Sequence, residues 1–235
     1  SRSISPQHHG WVESILDKEH IDFLWERIEK GSQEDTKNNL AGNISKSYKI
    51  EDDDDRSFFH QVLFPHVEMY RQMNHGLDPL PIPARFDTDT EIYLHDLWVN
   101  YQYQTEFNPY HDHTGLYSFV IWMKIPYSHE DQKKVKIVKG IKEEDKRAGI
   151  FEIQYLNTLG QTRNFPYHMK PELEGTMLLF PSSLRHCVYP FYECDEPRIS
   201  ISGNLYMDVL PEEKPIVTNI HNQQPDIIRN IVRGK

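Results

Sequence analysis

Two segments of this 235-residue chain do most to limit what it can fold into: FNPYHDHTGLYSFVIWMKIPY from Phe107 and GTMLLFPSSLRHCVYPFYECDEPRISISGN from Gly175. Both join an apolar run to chemically capable side chains. His111 and His113 are two residues apart, so on an extended chain both imidazoles leave one face and Asp112 points the other way. In the second segment an apolar run and a proline lead into His186. Twelve residues later, RISIS alternates so that Arg198, Ser200 and Ser202 share a face. Two neighbouring histidines plus one distant histidine suit a mononuclear metal site. An arginine fork with a serine on the same face suits a carboxylate, which it can bind through parallel N–H groups.

A non-haem iron site of the oxygenase type takes three protein ligands on one side of the metal and leaves the other positions open. Its usual set is two histidines and a carboxylate, which would read HxD; here the third residue is His113. A neutral nitrogen in place of an anionic oxygen leaves the bound metal with one more unit of net positive charge. Each residue has a plainer reading by itself. The chain has 13 histidines, so one HxH is unremarkable, His186 alone suits a surface loop, and Arg198 alone suits a solvated or salt-bridged strand position. The combination with FPSSLRH and RISIS is what favours the metal. Asp112 is expected to orient a neighbour or face solvent.

From about Leu97 to Met207 these motifs resemble the Fe(II)/2-oxoglutarate-dependent dioxygenase superfamily. The likeness is greater to the prolyl-hydroxylase-type oxygenases of phage and bacterial genomes, where HxH in place of HxD is familiar. The resemblance implies a mainly β fold with flanking helices, built on a double-stranded β-helix, or jelly-roll, core. It also implies Fe(II) on His111, His113 and His186, and 2-oxoglutarate held at its distal carboxylate by Arg198 with Ser200. Tyr103 would lend a hydroxyl to the cosubstrate, with Tyr101, of the same parity, as the competing choice. The implied activity is hydroxylation of a substrate C–H bond with dioxygen, the leading candidate being a prolyl residue in a peptide and the main competitor a small amino acid or other metabolite. Two rivals belong to other classes: a cupin-like three-histidine enzyme that makes no use of 2-oxoglutarate, and a non-catalytic jelly-roll module with structural histidines.

Length and charge narrow the setting. A chain of this size can form one all-β domain, and the expected organisation is a single domain over 1–235. Within it, 1–80 is a helical support, 88–210 the β core and 211–235 a C-terminal tail. Mean hydropathy is −0.70 with 12% aromatics, a polar chain that still has the means to fold. Acidic residues exceed basic ones, 36 to 26, for a net charge of −10, which disfavours a phosphate backbone as partner. No apolar window is long enough to span a bilayer and no signal-peptide core opens the chain. A soluble, cytoplasmic protein is expected, in the host's cytoplasm if phage-encoded. Its expected partners are a small-molecule or peptide substrate and a second copy of itself, with no nucleic acid and no membrane. Cys187 and Cys194 imply no disulfide framework. There is no nucleophile elbow, phosphate loop or CxxC pair.

Periodicity places helices over Trp11 to Lys30, after a start signal at Asp17, and over Asp55 to Met73. The acidic run Glu51 to Asp55 reads as a solvated loop or a helix N-terminus. A Pro-rich connection follows from Pro79 to Asp87. Strands are expected within Glu91 to Gln104, Leu116 to Ile125, Gly149 to Leu156 and Gly175 to Phe180. The charged stretch Ser128 to Gly149 is either a lid over the substrate or a surface hairpin.

Overall fold

The computed structural model describes residues 10–31, 42–74, 76, 79 and 91–208. The Pro-rich connection, apart from residue 79, and the C-terminal tail beyond 208 lie outside them. Among the described residues, ten strands form two antiparallel sheets. The larger contains β1 (Val12–Ile15), β2 (Lys46–Lys49), β3 (Ile92–Gln102), β5 (Tyr117–Lys124), β8 (Thr176–Pro181) and β10 (Arg198–Met207), in the order β1-β8-β5-β10-β3-β2. The smaller contains β4 (Asn108–His111), β6 (Phe151–Leu156), β7 (Thr162–Tyr167) and β9 (Arg185–Val188), in the order β4-β9-β6-β7. The pair makes the double-stranded β-helix that the sequence implied.

The period of two along the central strands decides what lies on each side of the large sheet. Odd-numbered Phe119, Ile121, Leu179 and Ile201 pack with Phe58, Val62, Val67 and Tyr70 of the helical layer. Even-numbered Val120, Trp122, Leu178 and Phe180 turn inward and pack with Phe151 and Ile153 of the small sheet. Gly203 is required by a close approach: a Cβ there would lie 2.5 Å from both the Asp96 carbonyl and the Phe119 ring.

The helical layer is shorter than expected at its start. Helix α1 runs Lys18–Lys30 from Asp17, and Val12–Ile15 before it is an edge strand on β8. Four alternating residues are too few to announce a strand, and pairing with β8 overrides the helical pattern. The N-terminal region therefore supplies two sheet strands, β1 and β2, as well as helices. The second helix begins as a π-helical turn, Phe59–Leu63, and continues as α2, Phe64–Met73. Its N-terminus is tied by the acidic run: Asp52 accepts from the backbone N–H groups of Phe58 (3.1 Å) and Phe59 (2.8 Å), and Asp53 from that of Ser57 (2.7 Å). These carboxylates meet the unsatisfied donors and the positive end of the dipole.

The stretch Ser128 to Gly149 is not a hairpin. It folds into a short helix α3 (His129–Gln132) and two 3₁₀ turns, Lys136–Val138 and Glu143–Asp145. Val135, Val138 and Ala148 pack there with Tyr192. Strand β7 was not anticipated: TRNFPY is polar, mostly exposed and contains a proline, as an edge strand permits. Among the described residues no helix is long and apolar enough to cross a membrane.

Candidate metal centre and carboxylate pocket

The three histidines come from two adjacent strands and the turn after one of them. His111 ends β4 and stands directly opposite His186 on β9. His113 lies just past β4, its backbone N–H donating to the Ser182 carbonyl at 2.8 Å. Their candidate ligand atoms all lie within 4.8 Å of one another, and the Nε2 atoms of His113 and His186 are 3.3 Å apart. Two nitrogens, each about 2.1 Å from one ion and at right angles, would stand about 3 Å apart. The cluster fits a single metal ion.

The protonation state fits as well. Nδ1 of His111 lies 2.7 Å from the Pro109 carbonyl and Nδ1 of His186 lies 2.9 Å from the Leu184 carbonyl. A carbonyl only accepts, so Nδ1 carries the proton in both rings and Nε2 keeps its lone pair for a metal. Burial lowers all three imidazole pKa values, that of His113 to about 4 and that of His186 well below the usual range, with repulsion from the neighbouring rings adding to the effect for His113 and His186. The site is a nest of neutral nitrogens at pH 7. Phe151 and Phe180 flank His186, with ring centroids 5.6 and 5.0 Å away. Asp112 is exposed at the rim and is not part of the cluster.

These rings open onto a cavity of about 560 Å³, also lined by Arg198, Ser200 and Ser202. The alternation read from RISIS therefore delivers all three β10 residues to the chamber the histidines face. Arg198 is only 4% exposed. It donates from Nη1 to the Tyr127 hydroxyl at 3.1 Å and from Nη2 to Gln102 Oε1. Gln102 is held in turn by donating from Nε2 to the Glu106 carbonyl. Tyr127 donates to the Gly149 carbonyl at 3.0 Å, and burial raises its pKa, so the hydroxyl stays neutral. Among the described residues no carboxylate pairs with Arg198. A buried cation with neutral partners is stabilised when an anion enters.

The tyrosine expectation needs correction. Tyr103 lies past the end of β3 and outside the cavity lining, with its hydroxyl 3.1 Å from Lys46 Nζ. Tyr101 packs beside Tyr48 on the opposite face of the large sheet from the cavity. Even-numbered residues of β3 face the chamber, and 101 and 103 have the wrong parity. The side chains that do meet Arg198 are Gln102 and Tyr127. Gln102 is the direct cross-strand partner of Arg198, which only the register reveals. Tyr127 follows Pro126 at the end of the β5 run and gives no local signal.

Residues 96–204 match the family model described as "Putative 2OG-Fe(II) oxygenase". The chain carries a 2OG-Fe(II) oxygenase domain. The matched span begins on β3, ends on β10 and contains the three histidines and Arg198. A domain of this kind is an oxidoreductase that uses Fe(II) and 2-oxoglutarate, and the donor set and the anion-seeking arginine are compatible with both. No curated protein matches this oxygenase significantly. Solved structures with a similar fold include a viral collagen prolyl hydroxylase from Paramecium bursaria Chlorella virus-1 in complex with 2OG (13% identity, 85% of this chain, 96% of that one, TM-score 0.46). Others are a prolyl-4-hydroxylase from Pseudomonas putida (14%, 84%, 92%, 0.47) and a Trichoplax adhaerens prolyl hydroxylase with a hypoxia-inducible-factor peptide (13%, 85%, 83%, 0.47). These likenesses are too remote to carry a substrate from one protein to another.

Proposed function

We propose that this oxygenase hydroxylates a C–H bond of its substrate, with His111, His113 and His186 holding Fe(II) and Arg198, assisted by Ser200, holding the distal carboxylate of 2-oxoglutarate. The observation that carries this reading is the buried Arg198 guanidinium, oriented by Tyr127 and Gln102 and lacking a carboxylate partner, in the same chamber as three neutral imidazoles. When bound, iron and 2-oxoglutarate supply an oxidation in which dioxygen is consumed, the keto acid becomes succinate and carbon dioxide, and a substrate carbon gains a hydroxyl group. The protein's own share is placement. Two backbone carbonyls keep the His111 and His186 lone pairs aimed inward, Arg198 fixes the direction of the dicarboxylate, and Phe151, Phe180, Val120 and Trp122 help exclude water.

The prolyl-peptide substrate suggested by resemblance remains a candidate within this reading, to be tested by product analysis on a proline-containing peptide. The cupin-like alternative has no use for an arginine so prepared. Anaerobic titration of the Fe(II)-loaded protein with 2-oxoglutarate separates them. A visible charge-transfer band from the chelated keto acid is expected in wild type, and Arg198→Ala should weaken cosubstrate affinity on the order of a hundredfold while retaining iron. Iron binding without a band would favour the cupin-like enzyme, and no iron binding would remove the metal reading.

A further inference from the structure

One wall of the cavity has chemistry that neither a metal nor 2-oxoglutarate explains. Ser182, Ser118 and Asn204 are buried, at 1%, 1% and 6% exposure. Ser118 Oγ is 3.0 Å from Ser182 Oγ and donates to Asn204 Oδ1 at 2.8 Å; Asn204 Nδ2 then donates to Asp96 Oδ2 at 3.2 Å. This chain starts at the residue whose carbonyl receives the His113 backbone N–H. It crosses from the end of β8 through β5 and β10 to β3, and terminates on a carboxylate that lines the cavity. Buried polar groups in a satisfied chain hold their end group in one place. Asp96 is thus a moored anion beside the histidines, its side chain 44% exposed.

The candidate occupants can be sorted by charge. Asp96 lies outside the group of atoms able to ligate one ion together. 2-Oxoglutarate is a dianion with acceptors only, and a carboxylate repels it. Asp112 adds a second carboxylate to the same lining. The lining cations among the described residues are Arg198, at the far end of β10 from Asn204 and six register positions away, and Lys49, whose ammonium lies 3.6 Å from Glu51. A prolyl residue inside a peptide has neither charge nor N–H on its ring nitrogen and would add nothing to what Asp96 already has, the Asn204 amide and, 4.0 Å away, the His95 imidazole.

We propose that the primary substrate is a cationic amine or guanidine whose N–H groups bond to Asp96, the carboxylate held by the Ser182–Ser118–Asn204 chain. This assignment rests on the oxygenase reading and names the substrate class that site admits. Isothermal titration of the Zn(II)-loaded protein, in which no turnover occurs, tests it. 2-Oxoglutarate binding to wild type is measured first, and its failure overturns the oxygenase reading itself. The saturated complex is then titrated with cadaverine, L-arginine and agmatine, with N,N′-diacetylcadaverine and an end-capped Gly-Pro-Gly peptide as neutral probes. At least one cationic probe should bind wild type tenfold or more tightly than the neutral probes and lose that advantage in Asp96→Asn. That variant keeps an oxygen for Asn204, so the fold is retained. Ser118→Ala, which leaves Asp96 charged but unmoored, should give a smaller loss of the same sign. Absence of binding by every cationic probe, equal binding of cationic and neutral probes, or an advantage that survives Asp96→Asn would each overturn the proposal.

Discussion

The two ends of the cavity handle charge in opposite ways. At the Arg198 end a full positive charge is buried and its direction is set by two neutral acceptors, themselves fixed by Gly149 and Glu106 carbonyls. At the histidine end the three rings are held neutral by burial, and two of them are aimed by short bonds to carbonyls two residues earlier in the chain. The arginine end is a charge waiting for its counter-ion, and the histidine end is a set of lone pairs waiting for a charge. Burial is costly for the first and suits the second. That explains why Arg198 needs partners drawn from distant segments, 71 and 96 residues away in sequence, while the histidines are tautomer-fixed locally.

The contrast can be broken most directly at the histidines. His186→Ala should remove tight metal binding, a loss on the order of a hundredfold or more, because it deletes a buried ring with a set tautomer. His113→Ala should cost less, since no partner for its Nδ1 is found among the described residues and its orientation is less constrained. Competition with a chromophoric chelator measures both; equal losses would show that the carbonyl bonds contribute nothing to the difference. The arginine end is probed more gently by Tyr127→Phe. That change removes one acceptor from Arg198 and the bond to Gly149, so cosubstrate affinity should fall about tenfold with metal affinity intact. A fall in metal affinity instead would mean that the two ends are not separable.

The smallest effect concerns acid. Neutral buried imidazoles take up protons less readily in the folded state than in the unfolded chain, so the stability they contribute is present above about pH 6.5 and is lost as pH falls. For His113 the loss extends down through about pH 4. Denaturant melts of metal-free protein should show little change from pH 8 to 7 and a progressive decline between pH 6.5 and 4. His113→Asn should flatten that decline modestly, and an unaltered profile would place the acid sensitivity elsewhere.

Much of this was legible in the chain because its signals are local. The spacing of His111 and His113, the alternation of Arg198, Ser200 and Ser202, and the apolar runs of β5 and β8 follow from a strand's period of two, which any short stretch reports. The π-helical start of the second helix and the polar edge strand β7 were not legible, since neither carries a distinctive apolar period. Tyr103 illustrates the limit most directly. Residue type suggested it for the cavity and its parity turns it away, because a strand's period says which residues share a face and not which face meets the cavity.

The sequence by itself determined the ligand and arginine residues as candidates, the jelly-roll class, and the family through residues 96–204. Only the tertiary structure decided that Gln102 stands opposite Arg198, that Tyr127 reaches it, and that a chain of buried hydroxyl and amide groups ends on Asp96. The physical reason is that a side chain's direction is set by its own backbone, whereas its partner is set by the register between strands far apart in sequence. Register is decided collectively by what the whole sheet buries.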